Sequence, residues 1–262
     1  MSIFGALEEC RNTSLPDQIA ARAAKRNARR HKIDSTNPLY DEALVDLRRY
    51  GLAGENYYHF PHNPPYWRRI EGSIPGLYGR GTVAAKLLAV NARLAAAGLE
   101  LFLFDAWRPR AVQAYFHDIW MPASLAARDP ALTGAALIRE VENYWSAPTA
   151  DVASPAPHET GAAVDLTVRW IGGEKLWMGS LFDDVTPLAH RDRFERDDGG
   201  WSFSDAEARA NRRLLHWVMA AEGFAGHPNE WWHFSYGDQL WAVLGGAPAA
   251  FYGLSAPQEV AA

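Results

Sequence analysis

The chain has 262 residues, of which 48% are hydrophobic and 22% charged, and its formal net charge is −5 at pH 7. Those totals suit a globular protein of one large domain or two small ones, and give no electrostatic reason to expect nucleic acid or an anionic membrane surface as partner. The single cysteine, Cys10, excludes an internal disulfide and every cysteine-based zinc knuckle, so any metal site must use histidine and carboxylate.

No stretch approaches the length of a transmembrane helix, and MSIFGALEEC lacks the basic and apolar runs of a signal peptide. A cytoplasmic location is the expectation. Residues 1–35 read as a separate basic extension. The run 18–32 is Ala-rich, basic and poor in large apolar side chains, so it predicts a solvated helix or a frayed arm, with a basic docking arm as the alternative. Residues 36–262 then form the main body. The spacing of Val83, Leu87, Val90 and Leu94 predicts a helix over 81–97, stopped by Gly98. LELFLFD (99–105) reads as a buried strand, ended by Trp107-Arg108-Pro109. Helices are expected at 111–120 and 133–145.

Residues 162–168 alternate. Ala162, Val164, Leu166 and Val168 are expected to face a core, and Ala163, Asp165 and Thr167 the other side. A charged loop follows at 190–201, with a turn signal at Asp198-Gly199. Ser204 and Glu207 suggest a capping box for a helix to Glu222, with Gly223 beyond it. WWHFSY (231–236) reads as a last strand. Helices mixed with non-adjacent strands favour an α+β fold with a mostly antiparallel sheet flanked by helices.

Three segments carry chemistry. In HETGAAVD (158–165), His158 and Asp165 would stand roughly 23 Å apart on one straight strand at ~3.3 Å per residue. Gly161 can take the positive φ that swings them together. Imidazole with carboxylate suits zinc. The bland reading is a turn histidine and an exposed strand aspartate. In EWWHF (230–234), Glu230 and His233 would face opposite sides of a pure strand. Glu230 must lie in the loop before the strand if both are to serve one site. A histidine ligand beside a non-ligating glutamate is what a zinc hydrolase needs; the competing reading is a Trp-rich core strand with a satisfied histidine. In DAWRP (105–109), Arg108 can hold an oxyanion or pair with Asp105.

In this order DAWRP, HETGAAVDLT, MGSLFD (178–183), NRRLL (211–215) and EWWHF resemble the D-alanyl-D-alanine dipeptidases of the vancomycin-resistance type. These belong to a wider group of zinc D,D-peptidases that share the fold of the hedgehog signalling domain. The resemblance spans about residues 39–245. It implies one zinc held by His158, Asp165 and His233, with Glu230 as general base and then acid. It also implies that Arg108 stabilises the tetrahedral intermediate and that Asp183 binds the ammonium of a small dipeptide. Ala156 and Pro157 depart from the family pattern, which usually has Ser at the first of these positions and often at the second. His190, His216 and His227 are taken as structural or solvent-facing. The rival readings are a D,D-carboxypeptidase or endopeptidase acting on cell-wall peptide, and a zinc-binding interaction domain without catalysis. The number of copies in the functional particle is left open.

Overall fold

The long apolar strand over 99–105 organises the molecule. In this computed structural model, which describes residues 4–196 and 201–258, every residue of that strand except Glu100 is buried. In chain order the elements are α1 (Glu8–Asn12), α2 (Ile19–Lys25), β1 (Leu44–Asp46), β2 (Ala53–Gly54), β3 (Tyr78–Arg80), α3 (Gly81–Ala95), β4 (Leu99–Asp105) and α4 (Arg110–Ala114). They continue with α5 (Met121–Arg128), α6 (Gly134–Val141), β5 (Ala163–Trp170), α7 (Phe203–Ala220), β6 (Ala225–Gly226), β7 (His233–Ser235) and α8 (Gln239–Gly245).

The main sheet has the order β2-β4-β5-β7-β6, and only its β2–β4 pair is parallel. Strands β1 and β3 form a small antiparallel ribbon apart from it. This is the α+β, mostly antiparallel arrangement expected. The expected stripe on α3 is buried at Val83, Leu87, Val90 and Leu94, and Gly98 follows with φ 72°. Strand β5 is buried on both faces through Val168, so its alternation separates an apolar face from a polar interior face rather than core from water.

Three local expectations are revised. The helix expected over 111–120 runs on to Arg128 through a π-helical turn at Tyr115–Trp120. Pro122 falls in the first turn of α5, where its missing N–H costs little. The capping box of α7 is Ser202 with Asp205, two residues before the expected pair. Glu207 instead pairs with Arg11 at 3.0 Å. The turn signal at Asp198-Gly199 lies outside the described residues.

The third revision concerns the arm. Instead of standing in water, the 18–32 segment lies on the body, because its cations find fixed acceptors. Arg22 pairs with Asp192 and donates to Asn229 Oδ1 at 3.1 Å. Arg29 donates to the carbonyls of Ala147 and Ser154. Gln239 of α8 donates to the carbonyls of Arg29 and His31. Poverty in apolar side chains did not prevent docking, since main-chain carbonyls and an aspartate supply the contacts. Among the described residues no helix is long and apolar enough to cross a membrane.

Gly161 has φ 70°, and a Cβ there would collide with the side chain of Leu44. A left-handed non-glycine residue costs about 1–2 kcal/mol before any clash. Gly161→Ala is therefore expected to destabilise the chain by at least ~2 kcal/mol, read as a lower midpoint in urea unfolding.

Candidate metal centre

The register of the sheet builds the centre. Asp105 of β4 stands opposite Asp165 of β5, and Asp165 stands opposite His233 of β7. Opposite residues of antiparallel neighbours project to the same face, so this row delivers three polar side chains to one place. His158 arrives from the 3₁₀ turn Pro157–Thr160, which Gly161 closes in the left-handed conformation. Its Nε2 lies 3.3 Å from Asp165 Oδ2 and 3.1 Å from His233 Nδ1. His233 Nδ1 lies 3.2 Å from Asp165 Oδ1. The strand reading and the turn at Gly161 thus bring together the three residues singled out in the sequence.

These donors fit a divalent cation. All three residues are buried, and one ligand atom from each lies within 4.8 Å of the others. His158 Nδ1 meets the Ala106 carbonyl at 2.7 Å, which fixes that nitrogen as the donor and leaves Nε2 a bare lone pair in the neutral ring. His233 Nε2 meets Ser235 Oγ at 3.3 Å, which leaves Nδ1 to face the centre. Asp165 Oδ1 is buried without a hydrogen bond. Two imidazole nitrogens and a carboxylate oxygen thus converge, a donor set that suits zinc. Bonds of about 2.0–2.2 Å to zinc are compatible with such spacings.

Burial would push the Asp165 carboxyl upward, but His158 and His233 outweigh it and hold it well below the usual carboxylate range. Burial lowers the pKa of His233, which favours the neutral, ligating ring. Arg108 locks the row from outside. Its Nε donates to Asp105 Oδ2 at 2.8 Å, its Nη1 to Gln113 Oε1 at 2.9 Å, and its Nη2 to Asp165 Oδ2 at 3.0 Å and the Tyr58 hydroxyl at 3.3 Å. The pairing with Asp105 and a position beside the centre are therefore both present.

Glu230 sits in the loop before β7, with Oε2 3.5 Å from His233 Nδ1. Burial raises its pKa well above the ordinary value, against the attraction of Lys25. His227, which the sequence left as structural, also reaches this loop. Its Nδ1 lies 3.7 Å from Glu230 Oε1 and accepts from Asn229 N–H at 3.2 Å. Asp183 is buried on the same cavity, held at φ 57°, and accepts from the hydroxyls of Tyr58 and Tyr66, each at 2.9 Å. Burial, reinforced by Asp165, raises its pKa to about 7. One cavity of about 970 Å³ contains His158, Asp165, His233, Glu230 and Asp183.

Sequence reading missed Tyr58, Tyr66, Ser235 and the second contact of Asp105, 3.6 Å from His158 Nδ1. Ser235 was findable, because it lies two residues beyond His233 on the same strand face. The tyrosines carry no local signal.

Residues 78–245 match the family model described as peptidase M15, D-ala-D-ala dipeptidase. The chain belongs to this family. It is 36% identical over 156 residues to the D-alanyl-D-alanine dipeptidase of Synechocystis sp. (strain ATCC 27184 / PCC 6803 / Kazusa), a match covering 55% of this chain and 62% of that one. It is 34% identical over 164 residues to the D-alanyl-D-alanine dipeptidase of Streptomyces coelicolor, covering 61% and 73%. The enzyme of the same name from Enterococcus faecalis is 30% identical over 168 residues, covering 62% and 75%. The match thus spans less than two thirds of the Synechocystis relative. Among solved structures, the LdcB LD-carboxypeptidase shows a TM-score of 0.39 at 13% identity over 84% of this chain and 79% of that one, too slight a likeness to add anything.

The Asp183 carboxyl binds its proton more tightly in the folded state than its ordinary value of 3.8 allows. Its contribution to stability is therefore full below about pH 4 and lost as pH rises toward 7. In metal-free protein, Asp183→Asn is expected to raise the unfolding free energy at pH 8 by a few kcal/mol, less at pH 5, and to change little at pH 3. Urea unfolding at the three pH values checks this.

Proposed function

We propose that this chain is a zinc-dependent peptidase that hydrolyses a small dipeptide with a free amino terminus, D-alanyl-D-alanine by the names of its relatives, releasing free D-amino acids. The observation that carries the reading is the convergence of the His158–Asp165–His233 donors with a buried, non-ligating carboxylate, Glu230, 3.5 Å from His233. His158 through Nε2, Asp165, and His233 through Nδ1 would hold the ion. When bound, zinc supplies a water of pKa near ~7 and polarises the scissile carbonyl.

The protein's own groups do the rest. Glu230, made more basic by burial, takes the proton of the attacking water and returns it to the leaving amine. Arg108 places a fixed positive charge beside the developing oxyanion, oriented by Asp105, Gln113 and the ring of Tyr58. Asp183 receives the substrate ammonium, its carboxylate aimed by Tyr58 and Tyr66. That ammonium would favour the ionised form of a carboxyl otherwise poised near 7. A charge at each end of a short substrate suits a free dipeptide in the cytoplasm better than a cross-linked wall.

Two outcomes are expected. Glu230→Ala keeps its zinc by elemental analysis but loses ~10²–10⁴-fold in kcat, whereas His233→Ala loses the metal itself. If Glu230→Ala strips the metal and His233→Ala does not, the two roles are inverted. Free D-alanyl-D-alanine is cleaved while its N-acetyl form is nearly inert, by roughly 10³-fold in kcat/KM, because acetylation leaves Asp183 buried without its cation. Comparable kcat/KM for both forms would favour the carboxypeptidase rival.

A further inference from the structure

The arm over 19–30 forms part of the wall of the cavity that holds the metal centre, and it lies outside the stretch matched to the family. Lys25, Arg26, Arg29 and Arg30 all line that wall. None of the four forms an ion pair within 4.0 Å among the described residues, although Glu140 and Glu142 line the cavity too. Arg29 spends its donors on the carbonyls of Ala147 and Ser154. Lys25 is half-buried and donates to the carbonyls of Glu142 and Asn143. An ammonium has three N–H donors, so one remains without a protein partner. Burial lowers the pKa of Lys25 to about 8, with Glu230 among the charges opposing that shift. Glu230 and Glu142 thus offset the burial of Lys25 only in part and from beyond ion-pair distance, and the cavity carries a cation with no carboxylate in direct contact among the described residues.

A free dipeptide has a charge at each end. Under the proposed function Asp183 answers the ammonium, and the departing residue still brings an α-carboxylate into the cavity. Arg108 is already assigned to the developing oxyanion, and four of its five N–H donors go to Asp105, Asp165, Gln113 and Tyr58. We propose that Lys25 is the specificity-determining anchor for the α-carboxylate of the departing residue, supplied by an arm that the family match does not include. The inference rests on the dipeptidase reading for its substrate and on the cavity wall for its residue. The charge-assisted hydrogen bond it describes forms to the free acid and not to an amide.

The test uses the full-length, zinc-loaded chain and its variants Lys25→Met and Lys25→Arg. D-alanyl-D-alanine is compared with D-alanyl-D-alaninamide, and binding of the product D-alanine is followed by calorimetry. The unchanged chain is expected to prefer the acid over the amide by ~10²-fold in kcat/KM. Lys25→Met collapses that preference toward unity, mainly through a higher KM for the acid, and weakens D-alanine by a similar factor. Lys25→Arg retains most of both. The proposal is overturned if Lys25→Met leaves the preference intact or lowers acid and amide alike, as a merely structural arm residue would. The dipeptidase reading fails separately. Lys25-dependent binding of D-alanine without cleavage of any dipeptide leaves the anchor standing and removes the reaction, whereas cleavage with Lys25-independent binding does the reverse.

Discussion

An excess of buried negative charge governs this molecule's interior. Asp105, Asp165, Asp183 and Glu230 are all buried around one end of the sheet, and Arg108 pairs with only two of them. Buried charges without partners cost several kcal/mol each. The four acids answer differently. Burial moves Asp105 to about 6 and Asp183 to about 7, and it raises Glu230 well above its ordinary value. Asp165 alone goes down, because two imidazoles face it at 3.2–3.3 Å. One carboxylate is thereby fixed as an anion fit to bind a metal, and its neighbours are left near the range where protons move. Environments that drive like groups apart in this way are how a site divides ligand from acid–base work.

Much of this could be read from the chain because it depends on local periodicity. The alternation over 162–168 put Asp165 on the face away from Val164 and Leu166. Gly161 marked the turn that returns His158, and the three-residue spacing of Glu230 and His233 required Glu230 to precede the strand. Each is a statement about backbone geometry within a few residues, which is where sequence patterns are most informative. The helix of 81–97 and the strand of 99–105 were legible for the same reason.

What escaped was set by long-range contacts. Nothing near Tyr58 or Tyr66 indicates that both hydroxyls will meet a carboxylate more than a hundred residues away. The arm looked solvated because apolar content was the criterion, yet Arg22 and Arg29 anchor it through acceptors displayed by distant loops. The capping box was misplaced by two residues because Ser202 and Ser204 each have an acidic residue three positions on, and the fold uses Glu207 to hold Arg11. The π-helical turn at Tyr115–Trp120 aligns Phe116 flat against Trp145, with ring centroids 4.3 Å apart, a constraint invisible in helical periodicity.

The pairing of Asp165 with His233 across β5 and β7 also limits where the chain can change length. Side chains on a strand alternate, so a slip of one residue would carry His233 to the opposite face and leave the ladder of hydrogen bonds intact. Insertions between Trp170 and the loop before β7 are free of that penalty, since they leave both partners in register. Deleting one residue inside His233–Ser235 would instead move a donor out of the candidate metal centre. Divergence by insertion in this architecture is thereby steered into the connection that carries α7, while the three-residue strand at the candidate metal centre keeps its length.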